Sequence, residues 1–180
     1  SDPRLAEAPD VTVWIATDTG VFSFDGAEWA RRFDAASDVA VDEDGTVWIG
    51  GRLWGIYQEE LWLARWDGQS WGRVDRHPQV PPRFRNPASL AVSPDGDVWI
   101  GGWYNFSVGT ELMRYGGATL EAVPTWEIEG LRPGIWDLEA APNGDLWVLS
   151  FGDAELRVAR YDGEGWAPYD WPYPDPVGLA

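Results

Sequence analysis

Short runs of alternating apolar and polar residues, each closed by an Asp-Gly or Asn-Gly pair, fill most of this chain. Asp44-Gly45-Thr46-Val47-Trp48-Ile49-Gly50-Gly51 is the clearest run. It returns as Asp95-Gly96-Asp97-Val98-Trp99-Ile100-Gly101-Gly102 and as Asn143-Gly144-Asp145-Leu146-Trp147-Val148. A fainter copy, Asp10-Val11-Thr12-Val13-Trp14-Ile15, stands near the start. The apolar period is two, and the runs are rich in β-branched and aromatic residues, so they predict strands rather than helices.

Four strands fit between successive anchor tryptophans. In the second unit Ser37-Asp38-Val39-Ala40-Val41 is one strand, and Glu43-Asp44-Gly45 turns it into Thr46-Val47-Trp48-Ile49-Gly50. After a longer link, Leu61-Trp62-Leu63-Ala64-Arg65-Trp66 is turned by Asp67-Gly68 into Ser70-Trp71-Gly72-Arg73-Val74. The third and fourth units repeat that order, and Leu5-Ala6-Glu7-Ala8-Pro9-Asp10 aligns without gaps on Leu90-Ala91-Val92-Ser93-Pro94-Asp95. Units of this size, each a four-stranded antiparallel meander, predict an all-β fold: a β-propeller of four blades. The blades are expected at about 1–34, 35–75, 86–124 and 134–170 in one propeller segment, with a further innermost strand beginning at 177–180. Most such rings hold more than four blades. The expectation is therefore a partial ring, or a half-ring that two copies complete as a homodimer of eight blades, with a closed four-blade ring as the less expected alternative.

Composition narrows the function. There are 14 Trp and no Cys among the 180 residues, which excludes a disulfide framework, thiol catalysis and thiolate metal sites. The net charge of −17, with every base an Arg, repels phosphate backbones and anionic lipid, so nucleic acid is not an expected partner. No apolar run is long enough to span a bilayer, so membrane insertion is not expected either. The start at Ser1-Asp2-Pro3 reads as a processed or excised end.

The stretch Val13-Trp14-Ile15-Ala16-Thr17-Asp18-Thr19-Gly20-Val21-Phe22-Ser23-Phe24-Asp25-Gly26 resembles the two-component regulator propeller repeat. That family runs as D-x-x-G-x-[LV]-W-[IV]-[GA]-T, a short gap, then G-[LV]-x-x-[FYW]-D-G and an aromatic. Residues Asp44 to Trp71 and Asp95 to Leu120 fit the same frame with stretched connections. The resemblance implies an extracytoplasmic (secreted or periplasmic) sensor module, and several members of the family are thought to sense glycans or their breakdown products. The motif specifies the fold strongly and the ligand hardly at all.

In a meander the first-to-second and third-to-fourth turns lie on one face, and here they are uniform and tight. The other face holds the irregular links Gly51 to Glu60, Asp75 to Pro87, Gly102 to Thr110, Pro124 to Ile135 and Asp170 to Pro176. Variable loops on a rigid frame carry function, so the candidates lie there. Trp54, Trp103, Trp126 and Trp171, with Tyr57, Tyr104 and Asn105 beside them, offer stacking area. Arg52, Arg83 and Arg85 can orient a carboxylate or hydroxyls. Indole and guanidinium together suit a glycan or small polar ligand, and equally a protein partner.

The tryptophans repeated in register are read as packing between blades, and Trp62 and Trp136, at strand starts, as core. The single histidine, His77, is a weak catalytic candidate: with Glu59, Glu60, Glu127 or Glu129 it would suit a metal-assisted lyase, but nothing in the spacing selects them. Acids in the tight turns are explained by local backbone hydrogen bonds. No metal site and no cofactor is expected, and binding rather than catalysis is the leading reading. A protein scaffold or self-assembling propeller stands second, and a lyase-type enzyme third.

Overall fold

The computed structural model describes residues 3–52, 61–74, 87–102, 112–131, 134–152 and 155–169. They form four antiparallel sheets of four strands, each a meander in chain order. Blade 1 is β1 (Arg4–Glu7), β2 (Val13–Thr17), β3 (Gly20–Phe24) and β4 (Trp29–Phe33). Blade 2 is β5 (Asp38–Val41), β6 (Val47–Arg52), β7 (Leu61–Trp66) and β8 (Trp71–Arg73). Blade 3 is β9 (Pro87–Val92), β10 (Val98–Gly102), β11 (Leu112–Tyr115) and β12 (Leu120–Val123). Blade 4 is β13 (Gly134–Ala140), β14 (Leu146–Gly152), β15 (Glu155–Tyr161) and β16 (Trp166–Tyr169). This is the four-bladed β-propeller architecture that the repeat predicts.

The blades are joined by one contact made three times. The tryptophan of each second strand enters an aromatic socket on the third and fourth strands of the next blade. Trp14 meets Trp66 at 6.3 Å and Trp71 edge-on at 6.1 Å. Trp48 meets Tyr115 at 5.7 Å, and Trp99 meets Tyr161 at 5.5 Å and Trp166 edge-on at 6.4 Å. Leu120 takes the place of a tryptophan in the second socket and is fully buried there. These rings prefer tilted and edge contacts because their faces are electron-rich and their edges are not. Around each contact lies a cluster of buried aliphatic residues, so the described residues hold three inter-blade cores, between blades 1 and 2, 2 and 3, and 3 and 4.

The same tryptophans are covered by an arginine. Arg65 and Arg114, each paired across the ladder with the anchor of its own blade, place their guanidinium groups 5.8 and 5.4 Å from Trp48 and Trp99. Arg114 is fixed by Asp97, and Arg160, at the equivalent place beside Trp147, reaches Asp145 at 3.3 Å. Blade 1 has Ser23 opposite Trp14 instead. There Arg32 arrives from β4, donates Nε–H to Ser23 Oγ at 2.8 Å and lies 5.8 Å from Trp66.

Close approach of neighbouring blades dictates small residues after the anchor. A Cβ on Gly101 would lie 2.4 Å from Ile135 Cγ2, and one on Gly50 would lie 3.2 Å from both Leu90 methyls. The tight turns need a different property. Gly45, Gly96 and Gly144 all have φ between 82 and 91°, a region that costs an L side chain about 1–2 kcal/mol. In blade 1 that position is Val11, at φ 64° and largely exposed.

One core expectation and one loop expectation are corrected, and the side chain of Trp62, also expected in the core, lies outside those described. Trp136 is 54% exposed rather than core, because β13 bulges there: Ile135 pairs with Ser150 and Asp137 with Leu149, leaving Trp136 unpaired. The link from Pro124 is not loop throughout. Thr125–Glu127 form a 3-10 turn, and Ile128 and Leu131 are buried in the core between blades 3 and 4. The expected strand at 177–180 lies outside the described residues.

Replacing Val11 by Gly relieves the left-handed strain without removing a packed side chain. Urea unfolding should show a gain of about 1 kcal/mol. Gly101→Ala should instead lose roughly 1–3 kcal/mol, because Ile135 is fully buried and cannot swing away. Gly165→Ala, whose Cβ would meet nothing within 4 Å, is the neutral control.

Candidate functional site

β1, β5, β9 and β13 line a central cleft of about 480 Å³. Their first turns of chain lie toward the face of irregular links, because each strand then runs to a tight turn on the opposite face. Four polar residues share one structural position at that mouth: Arg4, Asp38, Ser89 and Asp137. Each pairs two residues beyond the anchor tryptophan's level on the neighbouring strand, and each stands immediately before an apolar residue.

The ring is held by bonds that cross from blade to blade. Leu90 N–H of blade 3 donates to Asp38 Oδ2 of blade 2 at 2.7 Å, and Val39 N–H donates to Asp38 Oδ1 at 2.8 Å. One blade further on, Leu138 N–H donates to Ser89 Oγ at 3.1 Å. Ser89 Oγ–H in turn donates to Asp137 Oδ1 at 2.9 Å, and the Arg4 guanidinium reaches the same oxygen at 3.4 Å. That last contact spans the cleft from the first blade to the last. Arg4 and Asp137 keep 33% and 48% of their side-chain surface exposed, so a ligand can reach both.

Asp38 is the unusual member. Burial pushes its carboxyl up to about 6, and the Asp137 charge pushes the same way. The N–H groups of Leu90 and Val39 and the Arg4 charge pull it down, but less strongly. A raised value means that the folded state favours the neutral acid.

Beside this ring stands an aromatic pair. The β13 bulge lifts Trp136 to the surface, where its ring meets Phe151 edge-on at 5.9 Å. Trp136 precedes Asp137 at the start of β13, so it stands on the face of irregular links, outside the lining of the cleft itself. Trp126, on the link that leads into β13, is 60% exposed. That face thus offers flat apolar surface, and the cleft a cation, a carboxylate and a hydroxyl.

Of the binding residues expected from sequence, Trp126 alone has a described side chain. Arg52 is described as the last residue of β6 without its side chain. Trp54, Tyr57, Arg83, Arg85, Trp103, Tyr104, Asn105 and Trp171 lie outside the described residues, as do His77, Glu59 and Glu60. Glu127 and Glu129 are exposed. Among the described residues no three of His, Cys, Asp or Glu come together as a metal site would require.

Sequence reasoning missed Arg4, Asp38, Ser89, Asp137 and Phe151. A signal was available for the first four: a polar residue recurs ten positions before each anchor tryptophan, at 4, 38, 89 and 137.

The opposite face has a wider cleft of about 720 Å³ between blades 1 and 2, lined by Trp14, Trp29, Arg32, Arg65 and Trp66. Its polar groups are already engaged. Arg32 is committed to Ser23, and the Asp25 and Asp67 carboxylates each accept two backbone N–H groups of their own turns. Those backbone bonds hold both carboxyls below the usual carboxylate range, as they do for Asp162.

No protein-family model and no curated protein matches this sequence. Solved structures match its fold. The calcium-binding protein regucalcin from Agrobacterium tumefaciens is 21% identical over 93% of this chain, with a TM-score of 0.62. The extracellular domains of BT4673 and BT3049 from B. thetaiotaomicron, described as one component and hybrid two component systems, are 13% and 14% identical over 94% and 96%, with TM-scores of 0.63 and 0.62. The chain spans 59% of the first and 21% and 25% of the others. All of them support membership of the β-propeller class. Among the described residues no helix is long and apolar enough to cross a membrane.

Because Asp38 holds its proton up to about pH 6 in the fold but only up to about 4 when unfolded, the contribution of that proton to stability is full below about pH 4. It is lost as pH rises through 6, by about 3 kcal/mol. Groups that do not interact with Asp38 cancel in the difference between wild type and Asp38→Asn. Urea midpoints should therefore favour the wild type more at pH 4 than at pH 7. A difference that stays flat across that range would contradict the assignment.

Proposed function

We propose that this chain is a non-enzymatic binding module of an extracytoplasmic sensor, of the two-component regulator propeller type, taking a glycan or other small polar ligand at the mouth on the irregular face. The observation that carries this reading is an exposed indole, Trp136, on the same face as the accessible Arg4–Asp137 pair of the central cleft. A sugar ring stacks its C–H face on an exposed indole, and its hydroxyls need a donor and an acceptor at the edge. The guanidinium, carboxylate and hydroxyl of the polar ring supply both.

Three further considerations support it. The two B. thetaiotaomicron structures with the same fold are extracellular domains of signalling systems. The repeat resembles the sensor family at the residues quoted above. The carboxylates of the polar ring are engaged in structural hydrogen bonds, which suits recognition better than proton transfer. In this reading Trp126 and the aromatic and Arg residues of the longer links wall the same mouth.

The test is a titration of a panel of neutral and uronate oligosaccharides followed by tryptophan fluorescence. At least one should give a saturable change, and Trp136→Ala should weaken its binding roughly tenfold or more, which corresponds to about 1.4 kcal/mol. A uronate should additionally lose affinity in Arg4→Ala. No response from any sugar, or affinity untouched by Trp136→Ala, would reject the glycan reading.

A further inference from the structure

Among the described residues three sockets are filled, and the parts of a fourth are present but unassembled. On the outer side of blade 1 stand Phe24 and Trp29, at the positions of Trp66 and Trp71 in blade 2 and of Tyr161 and Trp166 in blade 4. Those pairs receive the anchor of the preceding blade. Phe24 and Trp29 receive none: they stack on each other at 4.9 Å, and Trp29 is 58% exposed. Leu5 stands on the same side. Its equivalents Val39, Leu90 and Leu138 are 4–5% exposed against the preceding blade, whereas Leu5 is 66% exposed.

Blade 4 carries the complementary half. Trp147 occupies the anchor position of Trp14, Trp48 and Trp99, which are 4–5% exposed. With no blade beyond it among the described residues, Trp147 is only partly buried and meets Tyr169 of its own sheet at 5.1 Å. Tyr169 stands where blade 1 has Phe33, the ring that packs on Trp71 of the following blade at 5.6 Å. It is 41% exposed.

We infer that the blade 4 side of one copy docks on the blade 1 side of a second copy. Trp147 then enters the Phe24–Trp29 socket, and Tyr169 packs on Trp29. The occupant is inferred from continuity: among the described residues these two sides carry the two halves of an interface that the chain makes three times, and a second copy supplies each half with its match. Two departures distinguish this side from the other three. Leu149 and Glu139 stand where the other blades have Ala16, Gly50 or Gly101 and Ala6, Ala40 or Ala91, so the inner strands of two copies approach less closely than those of neighbouring blades. The contact is heterologous. It closes into a ring or continues as a series according to the rotation between copies.

The experiment is light scattering of the full chain over a concentration series. Wild type should rise with concentration from the 20.1 kDa of one copy to twice that or more. Trp147→Ala and Trp29→Ala should each stay monomeric. Mixed together they should form a dimer, because each variant retains the half that the other lacks. Trp29 is exposed and Trp147 partly so, and unchanged circular dichroism checks that both variants fold; Trp29→Glu serves if Trp147→Ala does not. A wild type that remains monomeric at all concentrations overturns the inference, as does a mixture of folded variants that fails to pair.

Discussion

The insertion of one indole into the aromatic socket of the next blade is the contact on which this structure depends. A four-stranded sheet of this size cannot bury its own faces, so each blade is stable only against a neighbour. The tryptophan brings 150–250 Å² of surface to that contact, and its tilted and edge-on geometry fixes the rotation between sheets. Small residues after the anchor let the inner strands approach. The arginines of β7 and β11 lie over Trp48 and Trp99 and complete the packing there. Where β3 has Ser23 in place of that arginine, Arg32 of β4 bonds Ser23 and lies over Trp66 of the next blade instead.

Those contacts place the inner strands close enough for a second layer of interaction at the axis. Asp38 and Ser89 accept a backbone N–H from the following blade, which ties the sheets together at their narrowest point. The same position carries Arg4 and Asp137, whose side chains remain accessible. One ring thus has two kinds of member, the buried ones holding the blades and the exposed ones facing the mouth, where the proposed function places recognition.

The fold was legible because its determinants are local and periodic. Alternation, Asp-Gly turns and an anchor at a fixed place in each repeat predict strands, turns and blades without any knowledge of long-range contacts. The functional rim was less so. Trp136 looks like core by its place at a strand start, and the bulge that exposes it depends on pairing with β14 that the chain order does not reveal. Asp38 and Asp137 are the same residue type at the same position, yet one is buried and the other half-exposed, since only the ring's arrangement decides which blade has a neighbour to cover it. The irregular links that sequence reasoning favours carry most of its chosen residues, and Trp126, standing out from a short 3-10 turn, is the one whose surroundings are now known.

The turns of the opposite face carry a consequence for how the molecule meets its surroundings. Their carboxylates accept the N–H groups of the backbone that they turn, and Asp10, Asp25, Asp67, Asp95 and Asp162 all lie below the ordinary range for that reason or through a neighbouring hydroxyl. As a medium acidifies, these groups keep their charge further than an ordinary aspartate does. The hydrogen bonds that shape the turns thus also preserve carboxylate charge on that face where an unbonded aspartate has been neutralised.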